Sequence, residues 1–449
     1  MTDKRGNLAM KHRRIAAVLA GVAATVVVLT GCSTTSPNSG ESTASVPQDS
    51  KKPSSLTMLV TTSGSENGLK SLAKTYEQKT GITINFVEVA SGDLPTKEIL
   101  AAKSKQNTFD LAMVDGFTLA SVAAAGALVP LDSYLKDDTA YDYDADFPQG
   151  LKDYAKYKDV SYTVPLSTEP YLQWYRADLY DELGLKPATT WDEVTSNAKA
   201  LQTAGYLGYN PLYNAAGAAH FYNEMLVSQG GRMFDPKTLK PLLDTDVAKK
   251  VMNQYLALKQ YGPSSSTSGA TANAVQAFQQ QNAGQMVLAS GWWPTINGTT
   301  SPVAGKVATA ETPLGKLGTY TPTSMLYGWL AGISSASPHQ KDAWEFLSWA
   351  LGKDNVSAFI DAGAAPPARI STTSNHELVA KAPYLTAEAE AVKTGTTLPR
   401  IPAMSQIVSV ISQGINAMAT GQQTVDAGMA AMQSSVLNIL VQAGAYKGN

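Results

Sequence analysis

Ser71-Leu-Ala-Lys74 and Ser196-Asn-Ala-Lys199 each place a hydroxyl and an amine three residues apart. That is the spacing by which penicillin-interacting enzymes activate a nucleophilic serine, and Lys79-Thr-Gly81 and Lys393-Thr-Gly395 supply the matching K-T-G. The first pair lies too close to its K-T-G to leave room for the intervening fold. The second pair sits inside a helix that begins at Thr190, with no S-x-N between it and Lys393. Both read as solvated helix faces. The four histidines, His12, His220, His339 and His376, are widely scattered and show no metal-ligand spacing. There is no P-loop, no G-x-G-x-x-G after a strand and no G-x-S-x-G elbow. Acids are plentiful, but no two form a facing pair of the kind glycoside hydrolysis needs. The sequence shows no motif for a catalytic centre and calls for no cofactor.

One residue invites a modification. Cys32, the single cysteine, closes Leu29-Thr30-Gly31-Cys32 after an uncharged run from Ile15. Lys4, Arg5, Lys11, Arg13 and Arg14 precede that run. A basic start, a short apolar stretch and a small-residue cut site make a secretory signal, here of the lipobox kind in which the cysteine is acylated. The alternative is an uncleaved anchor. The expected layout is a signal peptide over 1–31, then the lipidated Cys32 with a polar tether to residue 54. The chain would stand at the outer face of the cytoplasmic membrane, without disulfides. The formal charge is −2 overall, and the basic leader means that the part beyond Cys32 is more acidic still. Nucleic acid is therefore a poor partner for the body of the protein.

The elements that would position a site follow from periodicity. Leu56–Thr61, Ile82–Val87 and Phe109–Val114 read as strands. A helix with Leu69, Leu72, Ala73 and Tyr76 on one face, stopped by Gly81, lies between the first two; another, over about 94–105, precedes the third. Strand, helix and strand at this spacing predict βαβ units and a parallel sheet. The pattern recurs later: Thr190-Trp-Asp-Glu193 is a capping box, Val247 to Leu256 a helix and Gly284–Ala289 a strand. Met429, Met432, Val436, Ile439 and Leu440 form the apolar face of a C-terminal helix. About 395 residues beyond the tether suffice for two domains. Two α/β lobes are the expected arrangement.

From Leu56 to Val436 the chain resembles the extracellular solute-binding proteins of ABC importers, in particular their maltose-type, sugar-binding branch. Tyr76-Glu-Gln-Lys-Thr-Gly-Ile-Thr83, Phe109-Asp-Leu-Ala-Met-Val-Asp115 and Ala125-Gly-Ala-Leu-Val-Pro-Leu131 carry the likeness in the first part. Val164-Pro-Leu-Ser-Thr-Glu-Pro170, Tyr175-Arg-Ala-Asp-Leu-Tyr180, Gly332-Ile-Ser-Ser-Ala-Ser-Pro338, Ala343-Trp-Glu-Phe346, Pro399-Arg-Ile-Pro-Ala-Met-Ser405 and Gly421-Gln-Gln-Thr-Val425 follow in order. The resemblance implies two lobes, about 55–165 plus 331–375 and about 168–328 plus 376–449, joined by two or three crossings with the ligand held between them. It also implies a monomeric, lipid-anchored receptor that hands a small carbohydrate to permease subunits and is not an enzyme. A non-sugar solute (a polyamine, metal chelate or peptide) and a glycan-active extracellular enzyme are the alternatives.

A sugar presents C–H faces and a rim of hydroxyls, so its site needs aromatic plates with carboxylate, amide and guanidinium partners. The resemblance assigns the stacking plate to Trp292, although one of the adjacent Trp292 and Trp293 is expected in the core and the sequence does not say which, and a hydroxyl-binding carboxylate to Glu169, which could instead form a hinge ion pair. His220 falls where the family has an aromatic ring. Ser63, Ser65, Glu66 and Asp115 lie in loops after strands, and Arg369 and Arg400 are the basic candidates. Where the family has two further tryptophans this chain has Val114 and the region of Ile407-Val408, which points away from a long maltodextrin.

Overall fold

The computed structural model describes residues 51–215, 217–280, 282–367 and 369–446. The signal, Cys32 and nearly all of the tether lie outside the described residues.

The first sheet has five strands in the order β2-β1-β3-β10-β6. β1 (Ser55–Thr61), β2 (Thr83–Val89) and β3 (Leu111–Asp115) come from the first part of the chain. β1 pairs in parallel with both of the others, Leu59 opposite Val87 and opposite Ala112. The helix Glu66–Thr80 connects β1 to β2 and ends at Gly81, whose φ of 77° is the left-handed turn that glycine adopts at least cost. The helix Leu94–Ser104 connects β2 to β3. A short hairpin, β4 (Lys156–Tyr157) and β5 (Val160–Ser161), precedes β6 (Thr163–Pro165). β10 (Trp329–Ile333) runs antiparallel between β3 and β6, so a distant piece of chain closes this sheet. Leu56, Met58, Leu69, Leu111, Met113, Phe346 and Leu347 are fully buried in its core.

The second sheet departs from expectation. β7 (Tyr171–Arg176) is flanked by β8 (Gln285–Ala289) and β9 (Val307–Ala310), and both pairings are antiparallel. The periodicity predicts the strand and helices here correctly. It cannot fix the direction in which β8 returns after the long, mostly helical excursion from β7. The capping box forms as predicted: Thr190 Oγ1 accepts from the Glu193 amide at 3.2 Å, and Glu193 accepts from the Thr190 amide at 3.3 Å. The C-terminal helix spans Val425–Gln442 and buries Met429, Met432, Val436, Ile439 and Leu440 against the second core, beside Ile407, Ile411 and Ile415. Among the described residues no helix is long and apolar enough to cross a membrane. The fold is a two-lobe, mixed α/β structure.

Candidate functional site

The ends of the two sheets face one cavity of about 520 Å³. From the first sheet come Thr61 to Gly64 after β1, Ser91 after β2, and Asp115 and Phe117 at the end of β3. The crossing from β6 to β7 contributes Glu169 and Tyr171, and the approach to β10 contributes Tyr327 and Trp329. From the second sheet come Leu288, Ala289, Gly291 and Trp292, while His220 and Phe221 arrive on the helix Ala218–Val227. Loops at the carboxyl ends of parallel strands are where an open α/β sheet offers side chains to a ligand.

Glu169 is the organising acid. It is 6 % exposed, and its Oε1 accepts from Ser65 Oγ at 2.9 Å and Ser167 Oγ at 2.6 Å. Its amide donates to the Tyr327 carbonyl at 2.8 Å, which fixes the backbone beneath it. A Cβ at Gly291 would stand 2.3 Å from the Glu169 carboxyl carbon, so any side chain there would make this carboxylate shift. Burial raises the Glu169 pKa; the two serine donors oppose that shift and the charge on Asp115 adds to it.

Asp115 Oδ1 accepts from the Phe117 amide at 2.7 Å. Burial pushes its carboxyl up to about 6, against the pull of that amide and of the Arg400 charge. Behind it, on the helix Leu94–Ser104, Glu98 is 1 % exposed, and neither carboxylate oxygen has a hydrogen-bond partner among the described residues. Burial, and then Asp115, push Glu98 up to about 8, so at neutral pH it is a carboxylic acid. Burial, and then the charge on Glu169, also raise Glu388 well above the ordinary carboxylate value, with the Ser290 hydroxyl (2.8 Å) opposing the shift. Nothing in the pattern of the sequence singles out Glu98 or Glu388; each reads as one more polar residue of a helix.

Aromatic rings form much of the remaining wall. His220 stacks on Phe117 with centroids 4.4 Å apart, and Phe117 on Tyr327 at 5.3 Å. Burial pushes His220 down to about 4, so the ring is neutral, and its Nδ1 has no partner. Trp292 is half-buried on the cavity wall. Trp293 is also half-buried but packs towards the core, with ring centroids 5.8 Å from Trp174 and 5.5 Å from Tyr384. Phe117, Tyr327 and Trp329 were not anticipated. The first could have been found from its place two residues beyond Asp115, in the loop after a predicted strand.

Ser63, Asp115, Glu169, His220 and Trp292 thus share one cavity, with Ser65 bonded to Glu169 at its edge. Three of the expected residues do not line the cavity. Glu66 turns into the loop, accepting from the amides of Ser63 (3.1 Å) and Gly64 (2.8 Å) and from Ser63 Oγ (3.3 Å), so it shapes the loop after β1. Arg369 is 1 % exposed and remote in role: Nη1 meets Asp146 at 2.9 Å, Nε meets the Leu351 carbonyl at 3.0 Å, and the guanidinium lies over Tyr141 and Phe147. A guanidinium with those partners belongs to the core. Arg400 does not line the cavity. It hydrogen-bonds the Gly116 carbonyl and lies 4.2 Å over Tyr154, while its Nε and Nη2 have no partner.

Two sheets whose loops converge on one aromatic and acidic cleft define a protein that holds a small polar molecule between lobes. Residues 62–357 match the model of the bacterial extracellular solute-binding protein family, and the chain belongs to that family. It is 26% identical over 405 residues to a mannitol-binding protein of Pseudomonas aeruginosa, covering 84% of this chain and 91% of that one. It is 23% identical to a probable amino-acid ABC transporter periplasmic-binding protein of Sinorhizobium fredii, covering 87% and 90%. Among solved structures, an ABC transporter solute-binding protein of Agrobacterium radiobacter in complex with ribitol superposes with a TM-score of 0.78 at 26% identity, covering 86% of this chain and all of that one.

Proposed function

We propose that the protein is the receptor of an ABC importer, capturing a small carbohydrate in the cleft and passing it to the permease subunits without chemical change. The observation that carries this reading is the convergence of two carboxylates, Asp115 and Glu169, with the face of Trp292 on one cavity. Carboxylates accept hydroxyl pairs and an indole covers the C–H face of a sugar or polyol. A mannitol-binding relative and a ribitol-bound neighbour, each 26% identical, support the same class of ligand. Ser63, Ser65 and His220 supply further polar contacts, and Arg400 acts from behind Asp115. Lobes of about 55–165 plus 331–375 and 168–328 plus 376–449 close over the ligand by hinge motion, because only closure brings both sets of loops to it.

The receptor stands at the outer face of the cytoplasmic membrane as a monomer, held by acyl chains on Cys32, since one chain binds marginally and two hold. Cys32→Ala should release it into the medium. Titration calorimetry across monosaccharides, polyols and short oligosaccharides tests the ligand. Saturable binding of at least one, with no product formed, is the expected result; no heat from any of them sinks the reading.

A further inference from the structure

The described lining of the cleft is more acidic than basic. None of the described residues lining the cavity is Lys or Arg, and the one imidazole there, His220, is neutral at pH 7. Asp115 and Glu169 both face the cavity, and Glu388 stands close enough for its ionisation to be opposed by the charge on Glu169. Arg400 lies outside the cavity wall and offsets Asp115 alone. Glu169 receives only two neutral hydroxyls, from Ser65 and Ser167. A neutral polyol would satisfy its lone pairs yet leave its charge enclosed once water is expelled, which is costly in a low-dielectric site. The cavity that Glu169 faces is also lined by Phe117, Tyr171, Trp292, Tyr327 and Trp329. Aromatic faces attract cations, and an enclosure of rings with an acid is a recurrent design for binding ammonium groups.

Resting on the carbohydrate reading above, we propose that the solute this cleft prefers is a carbohydrate bearing a protonated amine, an amino sugar or amino polyol, whose ammonium pairs with Glu169 inside the aromatic wall. The hydroxyls of such a ligand are left for Asp115 and the serines of the first loop. Closure strengthens the ion pair, because both charges then share a water-poor space.

The test uses matched probes in calorimetry at pH 7: D-glucosamine, D-glucose and N-acetyl-D-glucosamine, and separately D-glucamine and D-sorbitol. The amine-bearing member of at least one set should bind about tenfold or more tighter than its hydroxyl counterpart, and acetylation should remove the gain. Glu169→Gln, confirmed folded by its melting curve, should bring the amine-to-neutral ratio to within about twofold of one. The acetylated probe makes the same comparison on the unaltered protein should that variant fail to fold. Equal or weaker binding of the amines, with neutral carbohydrates bound, overturns this inference and leaves the receptor function standing. Silence from these probes and from the wider carbohydrate panel removes both.

Discussion

Two regions of the molecule bury ionised groups in opposite ways. In the first-lobe core, Asp146 and Arg369 form a closed pair at 2.9 Å, and Asp146 also accepts from the amide of Ser371 at 2.8 Å and its hydroxyl at 2.7 Å. Although burial raises its pKa, these partners outweigh burial and hold Asp146 below the ordinary carboxylate value. In the cleft, Asp115 and Glu169 have fewer partners than charge, and both are raised. The contrast separates scaffold from site. Where a buried charge is matched within the chain, it fixes structure; where it is left under-matched at a cavity wall, it is open to a partner from outside the chain.

The largest effect should come from breaking the closed pair. Arg369→Ala strands Asp146 in the core and should cost about 3–5 kcal/mol of stability, read as a lower denaturation midpoint. The surviving folded fraction should bind ligand as before. A variant that loses affinity but not stability would place Arg369 in the site after all.

Trp292→Ala attacks the other side of the comparison. Loss of its ring should weaken ligand binding by about 2–4 kcal/mol with little change in the melting temperature of the free protein. A steep fall in stability with normal affinity would return Trp292 to the core.

Glu98 sharpens the contrast, since it is buried with no partner. Its folded form keeps its proton up to about 8, whereas an unfolded glutamate gives it up near the ordinary carboxylate value. Between those limits, rising pH therefore favours unfolding. Glu98→Gln should stabilise the protein by about 1–3 kcal/mol at pH 8 and by much less at pH 4. Denaturant titrations at the two pH values decide it.

The smallest effect concerns Asp115. Ligand donors favour its ionised form, so affinity should be full above about 6 and decline as pH falls through that value. The limit is about tenfold per pH unit. Asp115→Asn should flatten this part of the profile.

Much of the fold was legible because its signals are local. The capping box at Thr190, the stop at Gly81 and the apolar face of the C-terminal helix are each written within a few residues. The antiparallel second sheet was not legible, because strand direction depends on how a long excursion returns. In the site, Trp292 and Glu169 share a cavity as the resemblance implies, and loop position led to Ser63 and Asp115. Loop position also pointed to Glu66 and Arg369, which do not line that cavity. A charged residue beside a turn looks the same in sequence whether it faces a ligand or, like Arg369, pairs with a partner more than two hundred residues away. Glu98 stayed hidden for the complementary reason: its lack of partners exists only in three dimensions.

The missing side chain at Gly291 has a consequence for how this receptor could change its cargo. Any larger residue there would press on the Glu169 carboxyl and pull it from Ser65 and Ser167. A change at 291 therefore acts on the acid, whereas a change at the half-buried Trp292 next to it acts on the plate. New ligand preferences should arise by exchanging the plate and keeping the acid. A library randomised at 292 with 291 fixed would retain far more folded, binding-competent members than the reverse.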